Sequence, residues 1–145
     1  IAQVLLHLPR VLVVDEPTAG LDPRERIRFR NLLVELSRER IVIFSTHIIE
    51  DIASSCSQLA VLRKGAVQYV GSPRHMTDEA EGHVWEALVP GTEFEEYTRR
   101  FNVAHHRQEG KDVRLRIVAK EQPHINALNV TPNLEDAYLW LQSGE

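Results

Sequence analysis

The stretch Val11-Leu12-Val13-Val14-Asp15-Glu16-Pro17-Thr18-Ala19-Gly20-Leu21-Asp22-Pro23 constrains the fold more than any other part of this chain. Four apolar residues run without alternation into two adjacent carboxylates, and a proline ends the run. A continuous β-branched run predicts a strand buried on both faces, as in a parallel sheet. Asp15 and Glu16 then stand at its carboxyl end, the edge of an open α/β sheet at which ligands bind. Successive strand residues point to opposite sides, so the two carboxylates are expected to do different jobs.

A second continuous apolar run, Ile41-Val42-Ile43-Phe44, predicts a neighbouring parallel strand. It ends in Ser45-Thr46-His47, and Ile48, Ile49, Ile52 and Ala53 open a helix behind it. Between the two runs, Asp22 is an expected N-cap, Pro23 the first helical residue, and Glu25 the third residue that closes a capping box. Phe29, Leu32, Leu33 and Leu36 give that helix one buried face. Arg24, Arg26, Arg28 and Arg30 are distributed around it and read as a solvated surface. Ile1 to Leu8 reads as the last turns of a helix ended by Pro9.

These residues fit nucleotide chemistry. One strand-end carboxylate suits Mg²⁺, a hard ion bound through few carboxylates and several waters. A second can orient or deprotonate an attacking water. A histidine at the end of the adjacent strand can donate to a γ-phosphate oxygen.

In sequence, Val11 to Pro17 followed by Ala19-Gly20-Leu21-Asp22-Pro23 resembles the Walker B segment and D-loop of ATP-binding cassette (ABC) ATPases, and Ser45-Thr46-His47 resembles their switch, or H-loop. The resemblance implies that Asp15 supports Mg²⁺ and Glu16 polarises the hydrolytic water. It implies further that His47 meets the γ-phosphate and Asp22 couples the two ATP sites of a subunit dimer. The implied fold is α/β, the distal half of a P-loop NTPase-like ABC ATPase domain over residues 1–78. A strand–turn–strand over Leu59 to Val70 and a Ser72-Pro73 helix start would complete it.

Residues 79–145 are expected to form a small accessory α+β domain. The acidic segment Asp78-Glu79-Ala80-Glu81-Gly82 reads as the linker. The first 78 residues carry 10 basic and 9 acidic groups; the remainder carries 7 and 12. Strands are predicted over His83 to Leu88, Asn102 to Gln108, Val113 to Val118 and Ile125 to Val130, with helices over Thr92 to Arg100 and Leu134 to Gln142. Glu109-Gly110-Lys111-Asp112 is the expected hairpin turn, and Asn133 the expected N-cap of the last helix. The ending Thr131-Pro132-Asn133-Leu134-Glu135-Asp136 resembles the carboxyl-terminal signature of ATPases that serve ABC-2-type exporters. His105 and His106, adjacent in a strand, should face opposite ways, and Tyr138 and Trp140 read as packing residues.

A net charge of −4 gives no reason to expect nucleic acid as a partner. The single cysteine, Cys56, cannot form an internal disulfide. No apolar run approaches the roughly 18 residues of a membrane span. The sequence contains no Gly-x-x-x-x-Gly-Lys-Ser/Thr phosphate loop; its Gly-Lys pair, Gly110-Lys111, precedes Asp112. The chain also starts at Ile1 rather than Met. It is therefore expected to be a fragment cut after the signature motif and inactive alone. The resemblance implies ATP and Mg²⁺ as cofactors, a transmembrane permease and a second ATPase subunit as partners, and a cytoplasmic, peripheral position on the inner face of the membrane. The competing expectations are a non-catalytic remnant, a split-subunit piece acting only through a partner, or a soluble ABC ATPase not tied to transport.

Overall fold

A computed structural model describes residues 9–144, and its contacts divide the chain into two units between Leu59 and Ala60. The predicted helix over Ile1 to Leu8 lies outside the described residues. The fold is α/β. In the first unit, strand β1 (Val11–Asp15), helix α1 (Pro23–Leu36), strand β2 (Ile41–Ser45) and helix α2 (Ile49–Ser55) follow one another. β1 and β2 pair in parallel, with Val11 opposite Ile41 and Asp15 opposite Ser45. A connection through α1 is what a parallel pair requires, because no tight turn can join the end of one strand to the start of the next.

The expectation that β1 and β2 are buried on both faces is corrected by the structure. Leu12 is fully buried, but Val13 is 68% exposed, and Val11, Ile41 and Ile43 are exposed with it. The physical reason lies in the faces of the pair: Leu12 and Val14 lie on a covered face, and Val11 and Val13 on the opposite face, which the described residues leave open. α1 starts as the sequence dictates, with Asp22 Oδ1 accepting from the Glu25 backbone N–H at 2.9 Å and Pro23 in the first turn. Its buried stripe is narrower than predicted: Leu33 is buried, Phe29 and Leu36 are half-buried, and Leu32 is exposed.

In the second unit, β3 (Leu59–Arg63) and β4 (Ala66–Gly71) form a hairpin whose first residue is the last of the first unit. Lys64 and Gly65 both have positive φ (49° and 80°), as a two-residue type I′ turn demands. Ser72 caps helix α3 (Pro73–Asp78) by accepting from the His75 backbone N–H at 3.1 Å. Residues 79–82 keep Glu79, Glu81 and Gly82 exposed. They form turns closing α3, and Ala80 is completely buried.

β5 (Val84–Pro90), β6 (Asn102–Glu109), β7 (Asp112–Val118) and β8 (Leu128–Asn129) make an antiparallel sheet in the order β6-β7-β5-β8. Ala87, Val89, Val113, Leu115, Ile117 and Ala127 form its core, against which Trp85, Phe94, Tyr97 and Phe101 pack. A fully buried aliphatic side chain there contributes about 1.5–3 kcal/mol. The predicted helix over Thr92 to Arg100 opens as a 3₁₀ turn (Gly91–Glu93) before helix α4 (Phe94–Arg100). Gly91 is required at that corner: a Cβ would lie 2.8 Å from the Lys111 carbonyl oxygen, which accepts its N–H.

The predicted strand Ile125 to Val130 is corrected to the two residues of β8. Ile125 is 86% exposed, and the Ala127 N–H turns back onto the His124 carbonyl, so the chain reaches the sheet only at Leu128. Helix α5 (Leu134–Ser143) carries a reciprocal capping box between Asn133 and Asp136. His105 and His106 do face opposite ways, His106 meeting the Phe94 ring at 4.8 Å and His105 lying across from Arg116. Trp140 stacks on His83, with ring centroids 3.9 Å apart.

The β6–β7 turn gives one pH prediction. Glu109 accepts from Arg114 Nε and Nη2, both at 2.8 Å, and from Arg107 Nη2 at 2.6 Å. The Arg114 hydrogen bonds, followed by those of Arg107, hold its carboxyl at about 2, below its ordinary 4.5. A depressed carboxyl pKa adds stability that is complete above about 4.5 and is lost as pH falls toward about 2. The thermal midpoint of the wild type is expected to fall across that window more steeply than that of Glu109→Gln. Identical acid limbs would contradict the pairing.

Candidate functional site

The carboxyl ends of β1 and β2 bring together Asp15, Glu16, Ser45 and His47. The parallel register sets Asp15 directly across from Ser45. Ser45 Oγ donates to Asp15 Oδ1 and accepts from the Glu16 backbone N–H at 3.1 Å. That N–H also donates to the Ser45 carbonyl at 3.1 Å, extending the ladder by one residue.

Glu16 has left the strand. Its φ is +45°, in the left-handed region, and Pro17 follows it. A non-glycine residue there is strained by about 1–3 kcal/mol, and such strain clusters at functional sites. The turn carries the Glu16 carboxylate to His47, whose Nδ1 lies 2.9 Å from Oε1 and 2.9 Å from Oε2. A carboxylate only accepts, so Nδ1 carries the hydrogen, and Nε2 remains as the second polar atom of the ring. The His47 side chain is 75% exposed and that of Glu16 37%. Asp15 and Glu16 thus have separate partners.

Asp22 stands apart from this group. Its carboxylate is engaged by its own helix through the Glu25 N–H. The loop leading to it is a series of turns, with Ala19 N–H donating to the Glu16 carbonyl at 3.1 Å and Leu21 N–H to the Thr18 carbonyl at 3.2 Å. Gly20 takes φ +76° there.

Sequence reasoning missed two features. One is Ser45, which was legible: counting Val11-to-Asp15 against Ile41-to-Ser45 in parallel register pairs the two ends. The other is a buried contact below the loop. Thr18 and Asp51 are 1% and 0% exposed, and Thr18 Oγ1 donates to Asp51 Oδ2 at 2.6 Å. Arg30 Nη1 reaches Asp51 Oδ1 at 3.4 Å and the Glu50 carbonyl at 3.3 Å. Burial, and then the negative charge of Asp51, push the Cys56 thiol above its usual range.

The Asp15 carboxylate and the Ser45 hydroxyl form a hard oxygen donor pair that suits Mg²⁺, which takes one or two carboxylates and fills its other positions with water and substrate oxygens. The described residues hold no group of three or more His, Cys, Asp or Glu side chains able to enclose a metal. Chemically, the cluster joins a partly exposed carboxylate able to take a proton from water to an imidazole held beside it.

The two carboxylates at the end of β1 thus meet Ser45 at the end of the parallel neighbour β2 and His47 just beyond it. The chain is homologous to ABC transporter ATP-binding proteins. It is 32% identical over 89 residues to YxlF of Bacillus subtilis, an uncharacterised ABC transporter ATP-binding protein, covering 61% of this chain and 30% of that one. It is 45% identical over 95 residues to the energy-coupling factor transporter ATP-binding protein EcfA2 of Bacillus subtilis (63% of this chain, 34% of the relative). It is 30% identical over 162 aligned positions to the Nod factor export ATP-binding protein I of Rhizobium etli, which covers all of this chain and 49% of that protein. The chain thus spans less than half the length of each of these relatives. No family model matches it. No helix among the described residues is long and apolar enough to cross a membrane.

Proposed function

We propose that these residues belong to the ATP-hydrolysing subunit of an ABC-type exporter. The observation that carries the proposal is the Glu16–His47 contact at 2.9 Å, one residue after Asp15, at the ends of paired parallel strands. In this reading Glu16 orients the attacking water and accepts its proton. His47 holds the Glu16 carboxylate through Nδ1 and, when protonated, offers Nε2–H to the γ-phosphate. Asp15, aligned by Ser45, is the residue that would hold Mg²⁺; the ion, when bound, neutralises charge on the phosphate oxygens. Asp22 couples this site to that of a second ATPase subunit.

The exporter reading draws on the extent of the homology. The alignment with the Nod factor export protein runs through the entire chain, whereas those with the EcfA2 proteins cover 52–63% of it. Residues 79–145 are in this reading the accessory part of the subunit. Its partners are a transmembrane permease and a second copy or homologue of the ATPase, and its place is the cytoplasmic face of the membrane, without nucleic acid.

The 145-residue chain alone is expected neither to bind ATP tightly nor to hydrolyse it. Its sequence holds no phosphate loop, whose backbone N–H groups cradle the nucleotide. Phosphate release by the purified 145-residue chain, abolished by Glu16→Gln, would contradict this. Background-level release in both proteins is the expected result.

A further inference from the structure

We propose that Asp51 is a positioning residue, whose buried carboxylate ties the loop after Glu16 to the helix after His47 and so keeps the two site residues in register. The role assigned to Glu16 and His47 rests on the reading above, but the brace itself does not.

Thr18 lies two residues beyond Glu16, and Asp51 four beyond His47. The two are joined at 2.6 Å although 33 residues separate them, and both are buried. A carboxylate is rarely placed in a fully buried position unless its oxygens are satisfied, because its desolvation is otherwise uncompensated. Here Oδ2 is satisfied by the loop and Oδ1 by Arg30 of α1, which also contacts the Glu50 carbonyl and lies 3.6 Å from the Glu50 carboxylate. One carboxylate therefore joins the loop, α1 and α2. The loop needs such an anchor. Two of its backbone bonds close within the loop itself, the Ala19 N–H donating to the Glu16 carbonyl and the Leu21 N–H to the Thr18 carbonyl. Glu16 is held in a left-handed conformation that only surrounding structure can maintain.

The test compares Thr18→Val, which removes the hydroxyl at nearly constant shape, with Thr18→Ser, which restores it. Amide hydrogen exchange is read by NMR, and ATP turnover is read on the protein expressed from its native gene. Thr18→Val is expected to speed exchange at Ala19 and Leu21 by about tenfold or more while leaving the amides of the β1–β2 ladder unchanged, which shows the first unit folded. It is also expected to lower kcat about tenfold at unchanged KM for ATP. Thr18→Ser should return both quantities toward wild type. Unchanged exchange at Ala19 and Leu21 would overturn the brace. Faster exchange with unchanged kcat, or with kcat and KM altered alike, would overturn the positioning role. A wild type without ATP turnover would overturn the functional reading, and the positioning role with it, while the exchange ratio still decides the brace.

Discussion

In the protein expressed from its native gene, Glu16→Gln is expected to lower ATP turnover by about 10²–10⁴-fold, the range typical of losing a general base. The substitution conserves shape and removes only the charge and the proton-accepting oxygen. Ser45 would still align Asp15, because that contact runs through the Ser45 hydroxyl and does not involve the Glu16 side chain. Nucleotide affinity should therefore change by less than about tenfold. The expected signature is a collapse of kcat with KM nearly constant, the pattern of an interaction made mainly in the transition state. A variant that loses binding and turnover together would instead mark Glu16 as a residue that holds the loop.

The second large effect is on stability. Arg116→Ala is expected to destabilise the second unit by about 3–5 kcal/mol, the usual cost of removing one partner of a buried ion pair. Asp136 is 0% exposed, and Arg116 serves it with Nε at 3.0 and 3.1 Å and Nη2 at 2.7 Å. The same guanidinium reaches Glu86 at 3.1 Å and the Thr131 carbonyl at 2.8 Å. Truncation strands a buried carboxylate that also accepts from the Asn133 N–H at 2.8 Å. Urea unfolding followed by tryptophan fluorescence reads this directly, since both tryptophans, Trp85 and Trp140, belong to this unit. A loss below about 1 kcal/mol, the range of exposed pairs, would contradict the burial argument.

This hub gives a physical role to the segment from Pro132 to Ala137. Pro132, Leu134, Asp136 and Ala137 are all buried. Asp136 closes the capping box of α5 and anchors Arg116 of β7. Helix-dipole complementarity alone makes Asp136 a modest N-terminal charge. The structure makes it the residue that fixes the last helix to the sheet.

Local chemistry made much of the fold legible. The β-branched runs ending in Asp15 and Phe44, the Asp22-Pro23 and Ser72-Pro73 helix starts, and the Gly65 and Gly110 turns each act within a few residues, and each lies where the sequence places it. Properties set by distant partners were not legible. Continuous hydrophobicity at Val11 to Val14 cannot tell a covered face from an open one, and Val13 is open. The run from Ile125 carries strand-forming residues, but its path is set by the turn at His124 and by Asn129, whose side chain donates to the Val84 carbonyl at 3.1 Å. At the candidate site, Asp15, Glu16 and His47 could be named from their order and strand ends. Their pairing could not, because it depends on the left-handed turn at Glu16, and a pre-proline glutamate gives no local reason to adopt it.

The most direct test of the hydrolytic site is ATP hydrolysis by the protein expressed from its native gene, measured beside its Glu16→Gln variant with nucleotide binding recorded for both. The account predicts turnover in the wild type, near-complete loss in the variant, and comparable ATP binding in the two. A Glu16→Gln variant that hydrolyses ATP at the wild-type rate would contradict it.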